Sequence, residues 1–205
     1  AQLSRGLGDV YKRQLLFLVP TNSSEINPQT FIDSNAQSMV QVIVNNQDLF
    51  ESDPDLFKKK IKDIFEPMVD FRRVSASVMG KENYLKSSTE QRSEFIEVFK
   101  NSLLDTYAST LAQWGDQKIV TNFTNKTTFE KIEDVNQDLL TESNSYPITY
   151  KVRKSGEGWK IINIIVNGVN LGLTFRNQFR ALAEEFDGDI DKVILNWTSD
   201  ANIPQ

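Results

Sequence analysis

The strongest structural signal in this chain lies in GWKIINIIVNGVNL, residues 158–171, and in FRNQF, residues 175–179. The first segment predicts an apolar strand over 159–166 that passes through a turn containing Gly168 into a helix. A strand with apolar residues on both faces has to be covered on both, either by protein or by a bound apolar ligand. Neither segment contains a residue equipped for bond-breaking chemistry. The functional question is therefore whether protein or a bound apolar ligand covers the strand.

The composition favours one domain with a bulky core and excludes several kinds of catalysis. The chain has 205 residues, of which 39% are hydrophobic, enough for a single sizeable core. It contains thirteen Phe, five Tyr and three Trp, so the apolar side chains are large. It contains no Cys and no His, which excludes disulfides, thiolate nucleophiles, zinc fingers and a Ser-His-Asp triad.

The charge and the motifs argue against nucleic acid, nucleotides and calcium as ligands. The formal net charge is −5, and no basic stripe alternates with aromatic residues. Neither a P-loop nor a Gly-x-Gly-x-x-Gly pattern is present. The segment DGDID at residues 187–191 resembles the start of a calcium loop but lacks the later ligands. It predicts a helix N-cap instead.

The N-terminal residues are expected to lie outside the domain. The hexapeptide DVYKRQ at residues 9–14 resembles a translated transposase adapter, so residues 1–14 are interpreted as an artefact. Residues 15–24, which begin with LLFLV, are interpreted as the remnant of a signal peptide. A single domain is then expected over residues 25–205. No segment approaches the roughly 18 apolar residues that a membrane-spanning helix requires.

Four helices are predicted in the first half of the chain, from helical spacing of apolar residues and from capping residues before them. The third is expected to stop at Gly80, because glycine commonly ends a helix. The fourth has Ser88 or Thr89 available as its N-cap. The predicted ranges are 27–44, 53–67, 70–80 and 88–114.

The fourth helix has an unusually wide apolar face. Apolar residues recur along it every four positions, and each such step turns the face by about 40°. With Ile96 and Leu104, the apolar arc covers about half of the helix surface, more than one neighbouring helix needs. The helix is therefore either the central core helix or the wall of a ligand cavity. The repeating residues are Phe95, Phe99, Leu103, Tyr107 and Leu111.

The second half predicts a meander of strands followed by two helices. The alternation over 146–153, the turn at 155–158 and the apolar strand after it indicate an antiparallel hairpin. Helices first, strands next and helices last make an α+β domain. The strands are predicted at 119–123, 129–140, 146–153 and 159–166, and the helices at 171–186 and 190–197.

Two blocks resemble a known family. The first is the pattern of residues 70–99, with DF at its start, VMG at 78–80, QR at 91–92 and a Phe at each of 95 and 99. It resembles the central motif of the Mla-pathway periplasmic phospholipid-binding proteins, also called the toluene-tolerance auxiliary family. The second block runs from GWKI at 158–161 to Phe179 and is similar to the other hallmark of that family. Together the blocks cover about residues 30–185.

The chain departs from the family pattern at three positions. Asn163 stands where the family usually has an acid, Asn167 where an acid often precedes the glycine, and Asn170 where the family has serine. Asparagine keeps the hydrogen-bonding capacity and loses only the charge. We expect Asn163 to bond a backbone turn, because an uncharged amide cannot accept a proton as a general base.

The resemblance implies a fold and a function. The fold is helices packed on a twisted, mainly antiparallel sheet that encloses an apolar cavity. The function is a periplasmic shuttle that carries phospholipids between the outer and inner membranes and so maintains outer-membrane lipid asymmetry. The implied partners are an inner-membrane ABC transporter complex with a membrane-anchored substrate-binding subunit and an outer-membrane lipoprotein–porin complex. A monomer with phospholipid as cargo is expected, with no nucleic acid, cofactor, metal or catalytic residue.

A shuttle of this kind needs aliphatic and aromatic walls, and twelve residues of the two blocks are candidates for lipid contact. For each of them singly, packing in the core is an equal alternative. The candidates are Phe71, Val74, Val78, Phe95, Phe99, Leu103, Tyr107, Trp159, Ile161, Ile165, Val169 and Phe175.

Two other functions remain open at this point. One is an enzyme of the cone-shaped α+β kind, with a curved sheet around a small-ligand pocket, which would need a buried acid facing apolar walls. The other is an interaction module whose apolar arc buries a partner helix, which predicts a large exposed apolar patch rather than a closed cavity.

Overall fold

The computed structural model describes residues 26–156 and 158–199. Within these ranges the chain forms seven helices and a five-stranded sheet, so the predicted α+β class is confirmed. The predicted adapter and signal segments lie outside the described residues. The helices are α1 (Pro28–Asn45), α2 (Gln47–Ser52), α3 (Pro54–Met68), α4 (Phe71–Lys86), α5 (Thr89–Ala112), α6 (Leu171–Glu185) and α7 (Ile190–Leu195). The strands are β1 (Lys118–Thr121), β2 (Ile132–Leu140), β3 (Ser145–Ser155), β4 (Gly158–Val166) and β5 (Val169–Asn170).

The helix starts follow the capping residues seen in the sequence. Ser88 and Gln91 form a capping box, in which each backbone N–H donates to the side-chain oxygen of the other, at 3.0 and 3.1 Å. Asp53, Asp70 and Asp189 accept a backbone N–H at the starts of α3, α4 and α7. The cap predicted in residues 187–191 is therefore confirmed.

Several predicted boundaries shift, and one helix was missed. Gly80 does leave the helical conformation, with φ of 73°, but helical backbone resumes beyond it as far as Lys86. The glycine is a kink in α4 and not its end, because its positive φ interrupts the helix for one residue only. Helix α3 continues through Pro67, and the short helix α2 was not predicted. Strand β2 begins at Ile132 rather than at residue 129.

The sheet is an open antiparallel meander in the order β1-β2-β3-β4-β5, and the predicted hairpin of β3 and β4 is confirmed. Its pairing slips once, since Lys151 pairs with Asn163 and Val152 with Ile161. Ile162 is therefore an extra residue in β4, a β-bulge. From Ile164 onward, the side chains that face the sheet cluster lie at even instead of odd positions, while Asn163, next to the bulge, still contacts the start of α6.

Among the described residues, three buried clusters surround a central gap, and the smallest of them joins Ile43, Phe57, Ile61 and Leu104 of α1, α3 and α5. A helical cluster joins α4, α5, α6 and α7 around Phe95, whose ring lies 4.9 Å from that of Phe179 and 5.2 Å from that of Trp197. A sheet cluster packs α1 and the end of α3 on the inner face of β2, β3 and β4. Val69 packs against both the helical and the sheet cluster, and the next residue, Asp70, donates its backbone N–H to the Ile161 carbonyl at 2.9 Å. This junction holds the start of α4 against β4.

Candidate functional site

The gap among the buried clusters is an apolar cavity of about 300 Å³. Its walls come from α1, α3, α4, α5, the start of α6 and strand β4, so it collects residues from both halves of the chain. The lining residues are Met39, Ile61, Phe65, Val69, Phe71, Val74, Phe99, Leu103, Leu104, Tyr107, Leu111, Ile161, Asn163, Ile164, Leu171, Gly172 and Phe175.

Helix α5 serves both of the roles that its wide apolar arc left open. Phe95, in its N-terminal half, is fully buried in the helical cluster. Leu103, Tyr107 and Leu111, in its C-terminal half, line the cavity. Phe99 belongs to both regions, with its ring 5.9 Å from that of Trp197 and its side chain in the cavity wall. Helix α5 and strand β4 therefore line the same cavity.

Seven of the twelve predicted wall residues line this cavity. They come from α4, α5, β4 and α6, elements that are distant in sequence and that the fold brings together. The seven are Phe71, Val74, Phe99, Leu103, Tyr107, Ile161 and Phe175.

The other five predicted residues lie outside the lining. Val78 and Phe95 are buried in the helical cluster, and Trp159 is buried in the sheet cluster, where its Nε1 donates to the Ile26 carbonyl at 2.6 Å. Ile165 and Val169 are half-buried. Val78, Phe95 and Trp159 therefore have packing positions in the core, which is the alternative that the sequence left open.

The bulge explains why Ile164 lines the cavity in place of Ile165. An unbroken strand with Ile161 facing the helices would also turn residue 165 towards them. The extra residue, Ile162, reverses this alternation, so Ile164 pairs with Tyr150 and packs in the sheet cluster. Ile165 pairs with Thr149 and belongs to the other face.

Helix α3 provides lining residues that the sequence did not identify. Ile61 and Phe65 lie four residues apart and share one face of the helix. Their spacing was visible in the sequence, but nothing there indicated that α3 faces α5 and β4 across a gap. The same holds for Met39 on α1.

Among the described residues that line the cavity, Asn163 alone carries a side-chain amide, and it holds the start of α6. Its Oδ1 accepts the backbone N–H of Gly172 at 3.1 Å, and its Nδ2 donates to Asn170 Oδ1 at 3.0 Å. Asn170 is the N-cap of α6 and also accepts the backbone N–H of Leu173. A Cβ on Gly172 would lie 2.5 Å from Asn163 Oδ1, so glycine is needed for this close approach. The contacts match the structural role expected for Asn163.

A small charged network joins α3 to α5 behind the aromatic wall. Lys100 Nζ donates to Glu66 Oε1 at 2.6 Å and to Glu97 Oε1 at 2.7 Å, and it lies 5.6 Å from the Phe71 ring centroid. Burial opposes the charge of Lys100, but the hydrogen bonds to the two carboxylates raise its pKa above the usual value. The bond from Lys100 lowers the pKa of Glu66. The cavity wall is thus braced by a charged lysine.

The cavity suits an apolar ligand. An engineered apolar cavity of about 150 Å³ stays dry and binds benzene, so a cavity of this size and lining can hold a longer hydrocarbon segment. In the parts of the chain that the structure describes, no three His, Cys, Asp or Glu side chains are grouped so that they could hold a metal ion. No helix of residues 26–156 and 158–199 has the length and apolar character to cross a membrane.

The fold and the cavity define an α+β protein that is built around an apolar ligand site. The chain belongs to the MlaC family, because the family model described as MlaC protein matches residues 33–199. The resemblance drawn from the two sequence blocks is therefore confirmed.

Two relatives and one solved structure extend the comparison. The chain is 29% identical over 174 residues to the toluene tolerance protein ttg2D of Pseudomonas putida, which covers 84% of this chain and 80% of that protein. It is 25% identical over 195 residues to the intermembrane phospholipid transport system binding protein MlaC of Haemophilus influenzae, which covers 92% of this chain and 89% of the relative. The fold is similar to that of a phospholipid-binding protein from Ralstonia solanacearum in complex with a phospholipid. In that comparison the TM-score is 0.75 and the identity 22%, and the match covers 82% of this chain and 93% of the other.

Proposed function

We propose that this protein is a periplasmic phospholipid carrier that moves lipids between the outer and inner membranes. The observation that carries the proposal is the apolar cavity of about 300 Å³ between α5 and β4. Family membership supports it, as do the phospholipid transport role in the name of the Haemophilus relative and the phospholipid in the Ralstonia structure.

The lining residues indicate how an acyl tail of the lipid is held. The seven predicted residues that line the cavity, together with Ile61, Phe65 and Ile164, are the proposed acyl-chain contacts. Hiding a tail of about 16 carbons from water is worth on the order of 12 kcal/mol, at about 0.8 kcal/mol per methylene. The lipid arrives from a bilayer in which its tails are already buried. The free-energy change for moving the lipid from the bilayer into the cavity is therefore close to zero, and the direction of transport comes from the partners.

The same lining favours a carrier over an enzyme. Among the lining residues of the described chain, the polar side chains are Tyr107 and Asn163, and the Asn163 amide already bonds Gly172 and Asn170. A general base with a pKa near neutral is therefore not available in this wall. We propose that the protein performs no reaction on the lipid.

The proposed partners follow from membership of the Mla system. Lipid passes between an outer-membrane lipoprotein–porin complex and an inner-membrane ABC transporter complex, with this chain as a monomer in between. Because the exchange is nearly neutral, each partner needs only a modest preference for the loaded or the empty carrier to set the direction.

Native mass spectrometry of the chain purified without detergent tests the proposal. We expect a monomer with additional mass, and solvent extraction of the same sample should yield phospholipid. A monomer at the apo mass, or a dimer without lipid, would contradict the carrier function. Phospholipid turnover above that of a heat-treated control, at a rate unchanged between independent purifications, would contradict the non-enzymatic assignment.

A further inference from the structure

A second hollow of about 290 Å³ lies between α4 and α5, apart from the apolar cavity. On each helix the residues that face it are spaced by three and four, which places them on one stripe. Small side chains in both stripes leave the space between the two helices unfilled there. The principal lining residues are Arg72, Ser75 and Ala76 on α4, and Thr89, Arg92 and Ser93 on α5.

The two hollows lie on different faces of α4. Phe71 and Val74 face the apolar cavity, whereas Arg72, Ser75 and Ala76 face the second hollow. At about 100° per residue, the mean directions of these two faces differ by roughly 125°. A ligand in the second hollow is therefore separated from an acyl chain in the cavity by the helix itself.

Ser75 lines this hollow and carries a buried hydroxyl that has no hydrogen-bond partner among the described residues. The residue is 1% exposed, and among the described residues its Oγ has no hydrogen-bond partner. An unsatisfied buried hydroxyl destabilises a folded protein, and native structures keep few of them. A bound acceptor in the hollow would satisfy the Ser75 O–H.

Arg92 is held in a fixed position at the same hollow. Its Nε and Nη2 both donate to the Tyr84 carbonyl, the first at 2.9 Å, and its guanidinium lies 4.1 Å from the Tyr84 ring centroid. None of the hydrogen bonds within the described chain uses Nη1. An anion that binds this edge would not have to order the side chain first.

Arg72 adds a second positive charge without a counter-ion. It is exposed and forms no ion pair with the described residues, whereas the adjacent Arg73 pairs with Asp70 at 3.6 Å. No acidic side chain is among the residues that line the hollow in the described chain. In a chain of net charge −5, two arginines around one hollow whose described lining has no acid form a local positive site.

We infer that this hollow is a binding site for an oxyanion of the phosphate type. Arg72 and Arg92 supply the positive charge, and the Ser75 hydroxyl donates a hydrogen bond to a phosphate oxygen. Charge-assisted bonds of this kind, from arginine to phosphate, are the strong ones in proteins. The same chemistry is offered by free phosphate and by the phosphate of a lipid headgroup at a membrane surface.

Isothermal titration with inorganic phosphate at constant ionic strength, with chloride as the reference salt, tests the site. Saturable binding is expected for the unmodified chain, with a rise in unfolding temperature that follows the phosphate concentration. Arg72→Gln and Ser75→Ala should each weaken phosphate binding at least about fivefold. The matched control is Arg73→Gln, which removes the same charge one residue away and should leave the affinity unchanged.

Three results would overturn the inference. The first is phosphate binding no stronger than that of chloride. The second is an equal loss in Arg72→Gln and Arg73→Gln, which would indicate a general charge effect. The third is Ser75→Ala with unchanged phosphate affinity and raised stability, the behaviour of a hydroxyl that serves no ligand. Phospholipid content by native mass spectrometry should be the same in all three variants, so this test is independent of the carrier function.

Vesicles distinguish the two sources of the anion. Association of each variant is measured with vesicles of phosphatidylcholine alone and of phosphatidylcholine mixed with phosphatidylglycerol. A loss of association in Arg72→Gln but not in Arg73→Gln, with competition by inorganic phosphate, assigns the site to a lipid headgroup. Equal association of the two variants, alongside their different phosphate affinities, assigns it to free phosphate.

Discussion

The two halves of α5 have the same apolar spacing and opposite packing. In the N-terminal half, Phe95 is fully buried and surrounded by the rings of Phe99, Phe179 and Trp197. In the C-terminal half, Leu103 and Tyr107 face a cavity of about 300 Å³. The periodicity of a helix defines which side is apolar, but the elements opposite determine whether that side is filled. Here α6 and α7 fill the first half, whereas the second half packs on α3 at Leu104 and leaves a gap towards β4.

The largest expected effect is on stability in the filled half. Phe95→Ala removes a ring from a close-packed cluster and should lower the free energy of unfolding by about 3–5 kcal/mol. Leu103→Ala, in the hollow half, removes a side chain that already borders empty space and should cost less than the about 2–5 kcal/mol typical of a buried leucine. Urea denaturation of both variants measures the difference. Equal losses would mean that the two halves are packed alike.

The second prediction concerns function in the hollow half. Leu103→Trp should fill space in the cavity and reduce the co-purified phospholipid per monomer by more than half, with only a small change in unfolding temperature. Overpacking a filled core instead costs about 1–3 kcal/mol of stability. Leu195→Trp is the matched control, because Leu195 is 84% exposed. Native mass spectrometry and thermal unfolding give the two readouts. Unchanged lipid with a large loss of stability in Leu103→Trp would contradict the cavity assignment.

The sequence could predict which faces are apolar but not how far apart they stand. The capping residues, the hairpin and the α5 stripe were predictable, because each depends on residues close together in the chain. The position of Ile162 as a bulge was not predictable, since it depends on the register between β3 and β4. Because Ile162 is an extra residue in the strand, Ile164 lines the cavity and Ile165 does not.

The cavity-lining residues of α3 show the same limit of prediction from sequence. Ile61 and Phe65 lie four residues apart on one face of a helix, as in many helices. That this face lies opposite α5 across the cavity follows from the tertiary fold alone. Gly80 shows it at a smaller scale. A glycine predicts an interruption, and only the backbone after it shows whether the helix ends or, as here, resumes.

The third prediction separates the polar part of the wall from the apolar part. Asn163→Asp replaces the amide donor to Asn170 Oδ1 with an acceptor, so that two oxygens face each other. The lost hydrogen bond should cost about 1 kcal/mol of stability. Lipid content should change little, and no hydrolysis of phospholipids or other esters should appear. An ester hydrolysis rate above that of the unmodified protein would show that an acid at this position can act as a base.

The smallest expected effect lies where the two halves of α5 meet, at Lys100. Because the bond from Lys100 lowers the pKa of Glu66, this pair stabilises the fold above the unfolded pKa of about 4.3, and the contribution is lost as the pH falls through the folded pKa. The raised pKa of Lys100 gives stability the opposite dependence on pH. Its contribution is present below the unfolded pKa of about 10.4 and is lost as the pH rises through the folded pKa.

Glu66→Gln should therefore flatten the loss of stability below about pH 4.3, by less than about 1 kcal/mol, because the Glu66 side chain is 44% exposed and solvent screens it. Glu82→Gln is the matched control. Glu82 pairs with Lys86, whose side chain is 64% exposed, whereas that of Lys100 is 10% exposed. Thermal unfolding across the acid range compares them. An equal flattening in both variants would show that the buried lysine at the edge of the cavity wall holds α3 to α5 no more firmly than a surface pair does.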